Sequence, residues 1–150
     1  MAMTELKGKD LGTSRVQIEQ GPVRAFASAV KEPPAAFTGD GALVPPTFPF
    51  VMTYWGSLGE GGAAGLPIDE LRGPGRMLLH GEQEFEFHRW PKVGDVLEGS
   101  ARVVDVTTKD SASATMDFYV TETEWKHADS GEPAVTARFT LIVRTSKPKG

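Results

Sequence analysis

The chain has 150 residues, 39% of them hydrophobic and 24% charged, which is typical of a globular domain and excludes a disordered or fibrous chain. It contains no cysteine, so a disulfide framework and a thiolate zinc site are excluded, and a reducing compartment is favoured. The formal net charge is −4 and the sixteen basic residues are scattered along the chain, so no nucleic-acid-binding surface is predicted.

The two ends of the sequence are polar. Residues 1–13 carry no signal-peptide pattern, and no apolar run approaches the ~20 residues that cross a bilayer, so we expect a cytoplasmic protein without membrane contact. Residues 1–13 and 146–150 are rich in lysine and glycine and are predicted to be flexible tails. The sequence between them, residues 14–145, is predicted to form a single domain, with a possible edge strand at Arg15–Glu19.

Two segments have helical periodicity. The first is Val23–Lys31, with Pro22 in its first turn and Pro33 beyond its end. The second begins at Phe48, after a possible N-cap at Thr47. Its apolar side chains cover both faces, which predicts a buried helix; they are Phe48, Val51, Met52 and Trp55 on one face and Phe50, Tyr54 and Leu58 on the other.

Four segments with period-two alternation follow, at about residues 77–89, 96–109, 112–125 and 133–144. Short turns between them predict hairpins, and the adjacent Val103 and Val104 predict a bulge in the second strand. Such strands need an apolar cover, which the second helix can supply. The predicted fold is therefore α+β, a hot-dog fold in which a curved antiparallel sheet wraps around one long apolar helix.

Three motifs carry a family resemblance. They are Val-Pro-Pro-Thr-Phe-Pro at residues 44–49, His-Gly-Glu-Gln-Glu-Phe-Glu-Phe-His at residues 80–88, and Trp-Pro-Lys-Val-Gly-Asp at residues 90–95. In this order the chain resembles the N-terminal domain of MaoC-like acyl dehydratases. The resemblance implies hot-dog pairs that hydrate or dehydrate acyl thioesters carried on coenzyme A (CoA) or acyl carrier protein, with no further cofactor. The chain is also similar to the non-catalytic, substrate-binding subunit of heterodimeric hydroxyacyl dehydratases.

The resemblance has a gap at the reacting groups. Catalytic members carry Asp-x-Asn-Pro-aliphatic-His after the first helix. The corresponding residues 31–43 have one acid near the position of the motif aspartate, Asp40, and lack the asparagine and the histidine. We therefore expect no catalytic residue in this chain and a second hot-dog chain that supplies the aspartate and histidine. The resemblance implies that the start of the second helix, at Pro46, Thr47 and Phe48, lies near the thioester. Tyr54 and Trp55 are candidates for the acyl pocket.

Two other functions remain open. A self-sufficient homodimeric thioesterase or dehydratase would use Asp40 or His80, and a non-catalytic scaffold would only hold the acyl group. In regular alternation His80 and Glu82 share a strand face ~7 Å apart, which is also the arrangement of an ordinary solvated face. His80 and His88 are ~26 Å apart along one strand, so no metal site is predicted. His127 is predicted to be an exposed loop residue.

Overall fold

The structure, a computed structural model, describes residues 2–52 and 65–148. In this part of the chain five strands form one antiparallel sheet in the order β1-β3-β4-β5-β2. The strands are β1 (Asp10–Gln17), β2 (Arg76–Phe87), β3 (Val96–Asp110), β4 (Ala114–His127) and β5 (Pro133–Ser146). The helices are α1 (Gln20–Ala29) and the short α2 (Ile68–Leu71), with 3-10 turns at Thr4–Leu6, Pro34–Phe37 and Phe48–Val51.

The four alternating segments are confirmed as strands β2 to β5, and the possible edge strand is confirmed as the end of β1. The predicted bulge is also confirmed, because the pairing of β3 with β4 shifts register between Val103 and Asp105. Among the residues that the structure describes, no helix is long and apolar enough to cross a membrane.

The hairpin predicted between β2 and β3 does not form. β2 pairs with β5 at one edge of the sheet, whereas β3 lies between β1 and β4 near the other. The turn at residues 91–95 bonds elsewhere: Gly94 donates to the carbonyl of Ile18, and Lys92 makes an isolated bridge with Leu43. These bonds hold the segment that crosses the end of the sheet from β2 to β3.

The predicted N-terminal tail is wrong for most of its length. Leu6 is 3% exposed and belongs to a core cluster, and the Met3 amide donates a 3.0 Å hydrogen bond to the Tyr119 hydroxyl. β1 then begins at Asp10. At the other end β5 extends to Ser146, and Lys147 forms an ion pair with Asp110 at 2.8 Å, so this part of the predicted C-terminal tail also joins the sheet. The prediction of flexible tails rested on the lysines and glycines at both ends, which give no sign of these contacts.

The first predicted helix is confirmed as α1, which begins three residues earlier than the periodicity indicates. Val23 and Ala27 are fully buried, and the ring of Phe26 meets that of Phe48 edge to face at 5.6 Å. This face closes one end of the sheet's inner surface.

The second predicted helix is described only at its start. Phe48–Val51 forms a 3-10 turn in which Phe48 is buried, while Phe50 is 43% exposed, so this part is not buried all round. Thr47 occupies the N-cap position of this turn, as predicted, but its side chain makes no capping hydrogen bond. Tyr54, Trp55 and Leu58 lie outside the described residues.

Two apolar clusters cover the inner face of the sheet, one at each end. The α1 cluster contains Val16, Ile18, Val23, Val44, Phe48, Met52, Leu97, Trp125, Ala134 and Val135. The α2 cluster contains Leu6, Leu66, Leu71, Val103, Val106, Tyr119, Leu141 and Val143. Because each fully buried aliphatic or aromatic side chain contributes about 1.5–3 kcal/mol, both clusters are major sources of stability.

Candidate functional site

A cavity of about 350 Å³ lies on the inner face of the sheet, with lining residues drawn from the borders of both clusters. This volume falls in the range of small-molecule sites. The described residues that line it are Leu11, Pro49, Phe50, Gly65, Leu66, Ile68, Gln83, Ala101, Thr121, Thr123, Trp125, Ala137 and Phe139. None of these described lining residues carries a titratable side chain, so this wall is suited to an apolar ligand.

The cavity exists because one row of the sheet carries small side chains. Ala101, Thr123 and Ala137 lie opposite one another on β3, β4 and β5 and therefore share a face. The neighbouring rows bring Trp125 on one side and Phe139 on the other. Short side chains between tall ones leave a trough across the middle of the sheet.

Gly99 makes room for the Trp125 indole that forms one wall of this trough. It pairs with Trp125 across β3 and β4, and a Cβ atom at this position would lie 2.8 Å from the indole ring. The indole therefore packs directly over the glycine backbone. Any side chain at position 99 would push Trp125 away from the sheet.

A bulge at Gly81 changes the direction of the side chains before it. β2 shifts register between His80 and Glu82, so that His80 lies opposite Leu141 and Glu82 lies opposite Thr140. Since opposite residues share a face, His80 is on the inner face with the buried Leu141, and Glu82 is on the outer face. The expectation that His80 and Glu82 share a strand face is therefore wrong. For the same reason Leu79, opposite Ile142, points to the outer face.

His80 contacts two aromatic residues of the cavity wall. Its ring centroid is 4.6 Å from that of Phe139, nearly perpendicular, and 5.3 Å from that of Phe50. The side chain is exposed, at the β2 edge of the sheet. The sequence contains one signal of this change in direction, because an isolated glycine within a strand often marks a bulge.

Asp40 is not part of the described cavity wall. It is exposed in the loop after the 3-10 turn, which Gln20 braces by donating to the carbonyl of Phe37 and accepting from the amide of Gly39. Among the described residues, no hydrogen bond or ion pair joins Asp40 to His80, and Asp40 does not line the cavity. The two fallback catalytic residues are thus not brought together.

The start of the second helix differs from the predicted arrangement. Pro46 and Thr47 are exposed and Phe48 is buried in the core, and the residues that line the cavity here are Pro49 and Phe50. The amide of Phe48 donates to the carbonyl of Pro45, and that of Phe50 donates to the carbonyl of Thr47. Because Pro49 has no N–H, this turn offers no unpaired amide from residues 48 to 50 to a thioester oxygen. The substrate-binding roles of Pro46, Thr47 and Phe48 stay predictions.

The Trp-Pro-Lys-Val-Gly-Asp motif holds the loop that leads into this turn. The indole N–H of Trp90 donates to the carbonyl of Val44 at 2.9 Å, and the ring stacks on Phe87 at 3.9 Å. The amide of Val44 in turn donates to the carbonyl of Pro91. The motif therefore positions the wall residues Pro49 and Phe50.

His127 is buried, and its prediction as an exposed loop residue is wrong. It is the last residue of β4 and is 4% exposed. Its Nδ1 lies 3.7 Å from a carboxylate oxygen of Asp95, which accepts a hydrogen bond from the Lys92 amide. The sequence gives no sign of this burial, because His127 stands at a strand end beside a polar turn. Within residues 2–52 and 65–148, no group of three His, Cys, Asp or Glu side chains could hold a metal ion.

The outer face carries a charge ladder across four strands. Glu122 on β4 accepts hydrogen bonds of 2.8 Å from Arg102 on β3 and from Arg138 on β5, and Arg138 also pairs with Glu84 on β2. The Glu122 side chain is 7% exposed, and the two guanidinium groups, Arg102 foremost, hold the pKa of its carboxyl below its ordinary value. This ladder ties the strands together on the side away from the cavity.

The comparison with known families decides where the chain belongs. The model of the FAS1-like dehydratase domain region matches residues 5–137. The chain belongs to this family. A UPF0336 protein of Thermobifida fusca is 26% identical over 144 residues, 89% of this chain and 88% of the relative.

Solved structures show the same fold. The HadBC complex of Mycobacterium tuberculosis, a 3R-hydroxyacyl-ACP dehydratase, matches with a TM-score of 0.63 at 21% identity, covering 91% of this chain and 96% of that one. A MaoC-like dehydratase of Phytophthora capsici matches with a TM-score of 0.65 at 20% identity, covering 98% of this chain and 52% of that one. The predicted hot-dog fold and the MaoC-like resemblance are confirmed.

Proposed function

We propose that this FAS1-like dehydratase chain is the substrate-binding half of an acyl-thioester hydratase or dehydratase. It holds the acyl group of a substrate carried on coenzyme A or acyl carrier protein. A second hot-dog chain, which carries the Asp-x-Asn-Pro-aliphatic-His motif, supplies the acid and base. Similar structures include a complex of two hot-dog chains, which supports this pairing.

The observation that carries the proposal is the chemical character of the cavity. Its described wall is apolar, with Gln83, Thr121 and Thr123 as the polar members. Adding or removing water across an acyl thioester requires a group that moves a proton, and amide and hydroxyl side chains do not serve at neutral pH. Such a wall binds an acyl chain but needs the reacting groups from elsewhere.

The sheet also has edges available for a second chain. In the described part of the protein β1 and β2 are the two edge strands. β2 runs for twelve residues and includes His80, whose ring contacts that of Phe50. An edge strand readily pairs with a strand of another chain. We place the partner's reacting groups at the β2 side of the cavity.

Enoyl-thioester hydration by the chain alone and by the chain co-expressed with a motif-bearing hot-dog chain tests the proposal. We expect background rates from the chain alone and hydration by the complex. Replacing the motif histidine in the partner should abolish the activity, whereas Asp40→Asn in this chain should leave it unchanged. Robust activity of this chain alone, lost in Asp40→Asn or His80→Ala, would favour the self-sufficient enzyme. Binding without activity in either form would favour the scaffold.

A further inference from the structure

We infer that His80 is a substrate-binding residue whose ring N–H hydrogen-bonds the carbonyl oxygen of the thioester. This inference rests on the proposed function and adds the group that recognises the head of the acyl chain. It concerns binding and positioning, and it assigns no proton transfer to His80.

The bulge at Gly81 sets the direction of the His80 side chain. Without the bulge at Gly81, His80 would point to the outer face together with Glu82. The bulge instead brings its ring against Phe139 and Phe50, two residues of the cavity wall. Bulges of this kind commonly re-aim a side chain next to a functional site.

The close packing of β5 against β2 at this bulge depends on Gly81. A Cβ atom at position 81 would lie 2.7 Å from Cδ1 and 2.9 Å from Cγ1 of Ile142, and 3.2 Å from the carbonyl oxygen of Thr140. Only glycine lets β5 approach β2 this closely. The direction of His80 is thus built into the packing between the two strands.

Within residues 2–52 and 65–148, neither ring nitrogen of His80 has a hydrogen-bond partner, and the side chain is exposed at the cavity edge. The neutral imidazole always keeps one N–H donor. By contrast the amides of Phe48 and Phe50 are already bonded, and the amide nitrogen of Gln83 donates to the carbonyl of Arg138.

The nature of the ligand atom follows from the surroundings. When an acyl chain lies in the apolar trough, its polar thioester needs a polar group at the edge of the trough. His80, beside the wall residue Phe139, is such a group. A thioester carbonyl can only accept a hydrogen bond, which matches a ring N–H. The phenylalanine rings on either side hold the imidazole in place.

Affinity for two ligands that differ in one oxygen tests the inference. The probes are decanoyl-CoA and the thioether S-decyl-CoA, which lacks the carbonyl, titrated into the wild-type protein and into His80→Phe. The phenylalanine keeps the ring packing and removes the N–H. We expect His80→Phe to bind decanoyl-CoA about 3–10-fold more weakly, the loss of one hydrogen bond, and to bind S-decyl-CoA as the wild type does.

His88→Phe is the matched control, since His88 directly follows β2 and its ring bonds the Thr136 hydroxyl at 2.9 Å. Its affinities should equal those of the wild type. If His80→Phe fails to fold, His80→Gln, which keeps an N–H donor, should retain the preference for the thioester, and His80→Leu should lose it.

The outcomes separate the two proposals. If the wild type binds neither decanoyl-CoA nor S-decyl-CoA, the proposed function fails. If it binds both but His80→Phe weakens them equally, or weakens neither, acyl binding stands and the role of His80 is overturned. A loss confined to the thioester supports the inference.

Discussion

Replacing Gly81 with alanine should destabilise the protein by steric overlap on the outer face of the sheet. The new Cβ would lie 2.7 and 2.9 Å from two carbons of Ile142, whereas non-bonded carbons rest about 3.5–4.0 Å apart, so the overlap is roughly 1 Å. Cδ1 can rotate away, but Cγ1 and the backbone carbonyl of Thr140 are held by β5. Gly81 does not have a positive φ, so the backbone conformation itself tolerates alanine. Overpacking of this kind costs about 1–3 kcal/mol.

Urea unfolding of Gly81→Ala, Ile142→Ala and the double variant measures this overlap. Because Ile142→Ala removes both overlapping carbons, the double variant should be at least about 0.5 kcal/mol more stable than the sum of the single effects. Gly21→Ala is the control, because Gly21 lies in α1 with no atom within 4 Å of a new Cβ, and it should stabilise the protein by about 0.5–1 kcal/mol. Strictly additive effects, or a Gly81→Ala variant as stable as the wild type, would refute the packing of the bulge.

Two further predictions concern the two faces of the sheet. A lowered pKa means that ionised Glu122 stabilises the fold above its ordinary pKa of 4.5, and that this stability is lost as the pH falls through the lower folded value. Glu122→Gln should therefore lower the free energy of unfolding in urea by about 1–2 kcal/mol at pH 7, a value already reduced because the arginines are exposed to solvent. The difference between wild type and variant should shrink below pH 4.5, and a difference that stays constant down to pH 3 would contradict this account. Ala137→Leu should fill the trough, weaken decanoyl-CoA binding more than tenfold and leave CoA binding unchanged, whereas Ala25→Leu on the exposed face of α1 should change neither. Unaltered decanoyl-CoA affinity in Ala137→Leu would exclude the trough as the acyl site.

Much of the fold follows from local pattern. Each of β2 to β5 keeps one face apolar, so period-two alternation marks it, and the doubled valines at 103 and 104 mark the bulge in β3. The apolar face of α1 is equally visible. These features depend on residues close together in the sequence.

The errors arise where the outcome depends on distant pairing. Gly81 is visible in the sequence, but only the register against β5 shows that His80 turns inward while Glu82 turns outward. The trough has the same origin, because Ala101, Thr123 and Ala137 become neighbours only when three strands pair. No local pattern marks such a row.

Polar composition misled the prediction in two other places. Residues 1–13 look like a tail, yet Leu6 reaches the α2 cluster and Met3 bonds Tyr119. His127 lies beside a polar turn, yet its side chain is buried. In both cases a few specific contacts outweigh the average polarity of the segment.

Calorimetric titration with decanoyl-CoA and with CoA at several temperatures tests acyl binding in the cavity most directly. Burial of an alkyl chain against an apolar wall lowers the heat capacity. We expect tighter binding of decanoyl-CoA, with a heat-capacity change clearly more negative than that for CoA. Equal affinities and equal heat-capacity changes for the two ligands would contradict the proposal that the cavity holds an acyl group.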